Sequence, residues 1–121
     1  VLGSPAISSD FCFTPTPNQA AKDPFLNGKK CCGIDLNSLT VNDLLQKKQL
    51  DLQWIFYFKE KMEGRGELFL KNHFFDKLTG NSTLREQILA GKTEAEIRAS
   101  WQPGLTKYLE KRKKYLLYPD F

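Results

Sequence analysis

The groups with chemistry to offer in this 121-residue chain are 14 carboxylates, one imidazole and three thiols. Paired carboxylates would serve as a general acid and a general base. The seven Asp and seven Glu are spread along the sequence, and most stand at helix starts or on polar faces, where they cap and solvate. No acid–base pair can be placed from the sequence. Asp35 differs by position. It lies in the run Cys31-Cys32-Gly33-Ile34-Asp35-Leu36, a strand candidate whose Ile34 and Leu36 share one face and leave Asp35 on the other. Two readings stay open for it: a strand-edge residue bonded to turn amides, or a polar group in a site. A Ser-His-Asp arrangement would have to use His73, the single histidine. In its phenylalanine-rich surroundings His73 reads as a partly buried, hydrogen-bonded side chain instead.

Cys12, Cys31 and Cys32 have no C-x-x-C spacing, which argues against a structural zinc site, and one histidine cannot build a His-rich metal centre. Adjacent cysteines on a strand point to opposite faces, so Cys31 and Cys32 do not suit one another as partners. All three are expected as small buried hydrophobes. Gly64-Arg65-Gly66 is too short for a phosphate-cradling loop, and no G-x-S-x-G elbow is present. Aromatics make up 12% of the chain. Phe11, Phe13, Phe25, Trp54, Trp101 and Tyr118 could stack on the apolar face of a sugar, although nine Phe must largely be core.

The net charge is +4, and it is local. Lys107, Lys111, Arg112, Lys113 and Lys114 against Glu110 account for all of it, so the rest of the chain sums to zero. This is one basic patch rather than a nucleic-acid field over the whole protein. Trp101, Leu105, Tyr108, Leu109 and Leu116 fall at helical spacing, and Arg112 falls inside that stripe. Arg112 should therefore lie against the protein with a carboxylate or carbonyl partner. It either holds the C-terminus down or lines a site for an anionic group.

The elements that must position these groups change character along the chain. Phe11-Cys12-Phe13-Thr14, closed by Pro15 and Pro17, reads as a short strand, and Asn18 to Gly28 as turns. Val41, Leu44 and Leu45 mark a short helix capped by Thr40 with Asp43 three residues on. Leu52 to Met62 is a dense apolar helix with Trp54, Ile55, Phe58 and Met62 in one stripe, broken at Gly64-Arg65-Gly66. Phe69, Phe74, Phe75 and Leu78 form another apolar segment, ended by Gly80. Thr83 to Glu86 and Thr93 to Glu96 read as capping boxes, the first helix stopping at Gly91. Ser100 is expected to cap a last helix, with Pro103 in its first turn. The expected class is α+β, a small sheet from the N-terminal third packed by several helices from the C-terminal two thirds.

With 40% apolar and 26% charged residues the chain is ordinary globular material and fits one domain. No stretch approaches a membrane span, and no leader opens the chain. Beginning at Val1 without an initiating Met, it is expected to be a fragment or a processed product.

Taken in order, Leu2-Gly3-Ser4-Pro5, Phe13-Thr14-Pro15, Gly28, Cys32 to Leu36, Phe74 to Gly80, Ile88, Gly91, Glu96 to Trp101 and Arg112 to Tyr118 resemble the C-terminal domain of the NamZ-type exo-β-N-acetylmuramidases. The resemblance implies residues 1–121 as the auxiliary domain of a two-domain peptidoglycan glycoside hydrolase, with a Rossmann-like N-terminal catalytic domain absent from this chain. The parent enzyme would release terminal β-linked N-acetylmuramic acid from non-reducing ends, and this domain would form one wall of the cleft. The implied partners are that catalytic domain and a peptidoglycan-derived glycan, with no nucleic acid, metal or organic cofactor. The implied location is outside the cytoplasm, in the periplasm or cell envelope. Glycoside hydrolysis needs an acid and a base or nucleophile across the sugar, so this chain alone is expected to be inactive. Phe13, Asp35, Arg112 and Tyr118 are the candidate sugar contacts. A non-catalytic interaction domain, and less so a basic nucleic-acid module, are the alternative readings.

Overall fold

Short alternating runs near the N-terminus build a sheet, and apolar runs of helical period build everything after residue 40. The fold is described from a computed structural model, which places residues 1–119. The architecture is α+β: a three-stranded antiparallel sheet and five helices, in two compact units, Val1–Leu68 and the residues from Phe69 on.

In the first unit, β1 (Leu2–Ser4), β2 (Phe11–Phe13) and β3 (Cys31–Ile34) lie in the order β1-β3-β2. Gly33 faces Gly3 on one side and Phe11 on the other, and Cys32 faces Ser4 and Cys12. A Cβ on Gly33 would sit 2.0 Å from the Leu2 carbonyl oxygen, so only glycine lets β1 approach. A Cβ on Gly3 would sit 2.6 Å from the Phe13 ring, which fills that space.

The expectation of three buried thiols is corrected here. Cys12 and Cys32 form a disulfide between directly opposed residues of neighbouring strands. Cys31 alone is a buried free thiol. The alternation of a strand separates the two adjacent cysteines onto opposite faces of the sheet, Cys31 buried and Cys32 bonded to Cys12.

Helix α1 (Val41–Gln46) carries the expected capping box: the Asp43 amide donates to the Thr40 hydroxyl, and the Asp43 carboxylate accepts from Thr40. Those bonds hold the Asp43 carboxyl below its ordinary value. Helix α2 (Gln53–Met62) follows Leu52, whose side chain is buried, and its apolar stripe is half-buried. Ile7, Cys31 and Leu52 are the fully buried apolar residues of this unit.

The second unit is helical, with α3 (Phe74–Thr79), α4 (Thr83–Leu89) and α5 (Glu94–Lys113) around buried Leu84, Ile88 and Ile97. Gly80, at φ 82°, ends α3 in the left-handed region that glycine adopts freely. Two expectations fail in this unit. Thr83 does not cap α4; it is the first helical residue, and the Asn81 side-chain oxygen accepts its N–H at 2.9 Å. An oxygen two residues upstream admits the chain to the helix early. Nor does Ser100 start a new helix. Its hydroxyl donates to the Ile97 carbonyl at 2.6 Å and accepts from the Gln87 amide at 3.0 Å. α5 starts at the Thr93–Glu96 capping box and runs 20 residues, straight through Pro103. Proline there removes the donor that the Ala99 carbonyl would use, but the established turns on both sides carry the helix past it.

Candidate functional site

The basic, aromatic end of α5 is where charge and exposed apolar surface coincide. The expected stripe exists, but its C-terminal half is not covered: Leu105, Tyr108 and Leu109 are 46%, 60% and 47% exposed. Arg112 and Leu116 are half-buried, in line with the expectation that Arg112 lies against the protein. Tyr108, Lys111, Arg112, Tyr115 and Leu116 line a groove of about 240 Å³. Tyr108, Lys111 and Arg112 share one helix face because they sit three and four apart, and Tyr115 follows in the turn after the helix, its N–H bonded to the Arg112 carbonyl at 2.9 Å. Two phenol rings beside a guanidinium and an ammonium suit a ligand with an anionic group and an apolar face.

The other sequence candidates stand elsewhere. Tyr118 is exposed beyond the end of α5 and is not part of the groove wall. Asp35 is not within the strand, since β3 ends at Ile34. Its exposed carboxylate accepts the Asn37 N–H at 2.9 Å, an Asx turn that steers the chain out of the sheet. The turn-bonded reading of Asp35 is the one observed. Phe13 is half-buried and opposes Cys31, the first residue of β3, whereas Asp35 follows its last. Four residues of strand place them about 13 Å apart along it, so the sheet does not bring them together. Of the ring candidates for stacking, Phe25 is 81% exposed, while Phe11, Trp54 and Trp101 are half-buried.

Several carboxylates are engaged in bonds within the fold. The Asp76 carboxylate accepts from Arg85 Nε and Nη2, both at 2.8 Å, a bidentate pair that ties α3 to α4. Arg85 first, and His73 after it, hold the Asp76 carboxyl below its ordinary value, against the opposing effect of burial. His73 Nδ1 lies 3.4 Å from Asp76 Oδ2, and its side chain is 66% exposed rather than partly buried. His73 sits at φ 54°, in the left-handed region, immediately ahead of α3. Sequence reasoning missed this cluster because nine residues and a glycine turn separate Asp76 from Arg85, and no periodicity marks such a pair. Glu94 accepts from Arg98, whose guanidinium stands 5.8 Å from the Trp101 ring centre. Glu96 caps α5, and the Thr93 bonds lower its carboxyl in turn. Among the described residues, no three His, Cys, Asp or Glu side chains converge on a point that could hold a metal ion, and no helix is long and apolar enough to cross a membrane.

A family model described as exo-β-N-acetylmuramidase NamZ, C-terminal, matches residues 5–118. Among solved structures, a DUF1343 family protein from Bacteroides fragilis NCTC 9343 is similar at 30% identity and a TM-score of 0.83. That similarity covers 98% of this chain and 33% of the Bacteroides chain, so this chain spans about a third of that protein's length. No curated protein matches.

Proposed function

Because the chain belongs to the family of NamZ exo-β-N-acetylmuramidase C-terminal domains, we propose that it serves a glycoside hydrolase that releases terminal β-linked N-acetylmuramic acid from the non-reducing ends of peptidoglycan fragments. The match over residues 5–118 carries this reading. In it, the chain forms one wall of the active-site cleft, and a Rossmann-like N-terminal domain supplies the acid and its partner across the sugar. Arg112 is the strongest candidate contact, because its groove combines cationic and aromatic walls that suit the carboxylate and ring of a muramic acid. Tyr118, Phe13 and Asp35 are secondary candidates. Action outside the cytoplasm fits the Cys12–Cys32 disulfide, since such bonds persist in oxidising compartments.

The test is release of N-acetylmuramic acid from a chromogenic β-glycoside. The parent polypeptide releases it, and the 121-residue chain alone does not. Release by the isolated chain would overturn the auxiliary role. In the parent, Arg112→Ala raises KM at unchanged melting temperature if the guanidinium meets substrate. A lowered melting temperature with intact kinetics would make Arg112 a structural tether.

A further inference from the structure

We infer that the half of α5 beyond Pro103 is a docking surface, and that its occupant is the N-terminal catalytic domain of the same polypeptide. This rests on the function proposed above and deepens it by assigning the face through which the two parts meet, with Leu105 and Leu109 covered and the groove of Tyr108, Lys111 and Arg112 left open at its edge.

The helix is 20 residues long, yet its fully buried residue is Ile97, in its first turns. Beyond Pro103, Leu105, Tyr108 and Leu109 stand at the i, i+3, i+4 spacing of one face, each close to half exposed or more. An apolar stripe of this kind, left open on a helix, marks a surface made to be covered. Its two borders are cationic, with Lys111 on one side of the apolar line and Lys113 on the other. An apolar centre inside a charged rim is the anatomy of a protein–protein contact.

Two observations choose the occupant. The Bacteroides protein holds this fold in one third of its length, so two thirds of that polypeptide accompanies the same domain. The second is charge. The whole net +4 of the chain resides between residues 107 and 114. A second copy docked face to face would press two such rims together, which is repulsive, whereas a different domain with an acidic edge is complementary. Helix α1 also exposes apolar residues, Val41, Leu44 and Leu45. It has only six residues and no comparable charged rim, so nothing identifies what would cover it.

The test is thiol accessibility. Leu109→Cys is introduced into the parent polypeptide and into the 121-residue chain, and each is labelled with a maleimide. Cys31 is buried and Cys12 and Cys32 are joined, so the cysteines of this domain stay silent, and labelling of the unsubstituted parent is subtracted as background. Lys22→Cys, on an exposed loop of the first unit, is the control. Labelling at Leu109→Cys should be about tenfold slower or more in the parent than in the short chain, because the thiol reacts only when the interface opens. The control should react equally in both. Equal rates at Leu109→Cys would overturn the docking surface. Protection in the short chain that rises with its concentration would replace the occupant by a second copy. Protection of the parent only on anionic vesicles would replace it by a lipid surface. Amide hydrogen exchange over residues 105–113 of the unsubstituted proteins gives the same comparison without a substitution. Glycoside release is measured on the same parent preparation. Release with an unprotected Leu109→Cys removes the surface and leaves the activity, and protection without release does the reverse.

Discussion

Breaking the Cys12–Cys32 bond should destabilise the sheet-bearing unit by an amount set by the loop it closes. The two cysteines are 20 residues apart. Cross-linking a loop of that length removes unfolded-state entropy worth about 3 kcal/mol at room temperature. Urea sensitivity for a small domain is about 1–3 kcal/mol per molar, so reduction should lower the urea midpoint by about 1–3 M. Trp54, half-buried in α2, reports on this unit, and a Trp101→Phe background silences the tryptophan of the other. Melts followed by Trp54 fluorescence should separate the oxidised and reduced forms, and Cys12→Ala/Cys32→Ala should coincide with the reduced one. Thiol titration of the denatured, unreduced chain should find one group, Cys31, and three after reduction. Coincident melts, or three thiols before reduction, would refute the reasoning.

Two further outcomes follow from backbone and charge geometry. Gly33→Ala places a methyl 2.0 Å from the Leu2 carbonyl oxygen and 2.7 Å from Gly3 Cα, atoms that cannot swing aside, so β1 must leave β3. A loss on the order of 4 kcal/mol is expected, and an unchanged urea midpoint would show that the strands have slack. Arg85→Gln frees Asp76 from the partner that lowers its carboxyl below 3.8. A carboxyl lowered on folding contributes stability that is present above its ordinary value and is lost as the pH falls through the lowered one. The variant should therefore be less stable near neutrality, and should lose less than the wild type between about pH 5 and pH 2. Parallel stability–pH curves for the two proteins would sink the assignment.

What could be read from the sequence was whatever neighbours in the chain decide among themselves. The Thr40 and Thr93 boxes need only residues three apart, and both form. The strands at Phe11 and Cys31 and the breaks at Gly64 and Gly80 are equally local. The failures came where an outcome depends on a more distant or a competing group. Ser100 looked like a cap, but a helix nucleated at Thr93 had already passed it, and Gln87 of the preceding helix uses its hydroxyl. Asn81 pre-empted Thr83. The pairing of Cys12 with Cys32, and not with Cys31, is a matter of sheet register, which spacing along the chain does not encode. Asp35 is unusual in the sequence, and its oddity is that of a turn residue at the end of a strand. The groove on α5 was half legible, because the stripe and the charge were plain while the absence of a cover over Leu105, Tyr108 and Leu109 was not.

The placement of β3 between its two neighbours orders events during folding. β1 and β2 come first in the chain, but they make no ladder with each other, so every rung waits for residues 31–34. Oxidation of Cys12 must wait for the same four residues, and it then meets two sulfurs in succession. Capture of Cys31 in place of Cys32 would shift the strand by one position and send each of its side chains to the wrong side. The native bond is thus a record that the middle strand arrived in the correct phase, and cells that lack a disulfide isomerase should accumulate the misphased form.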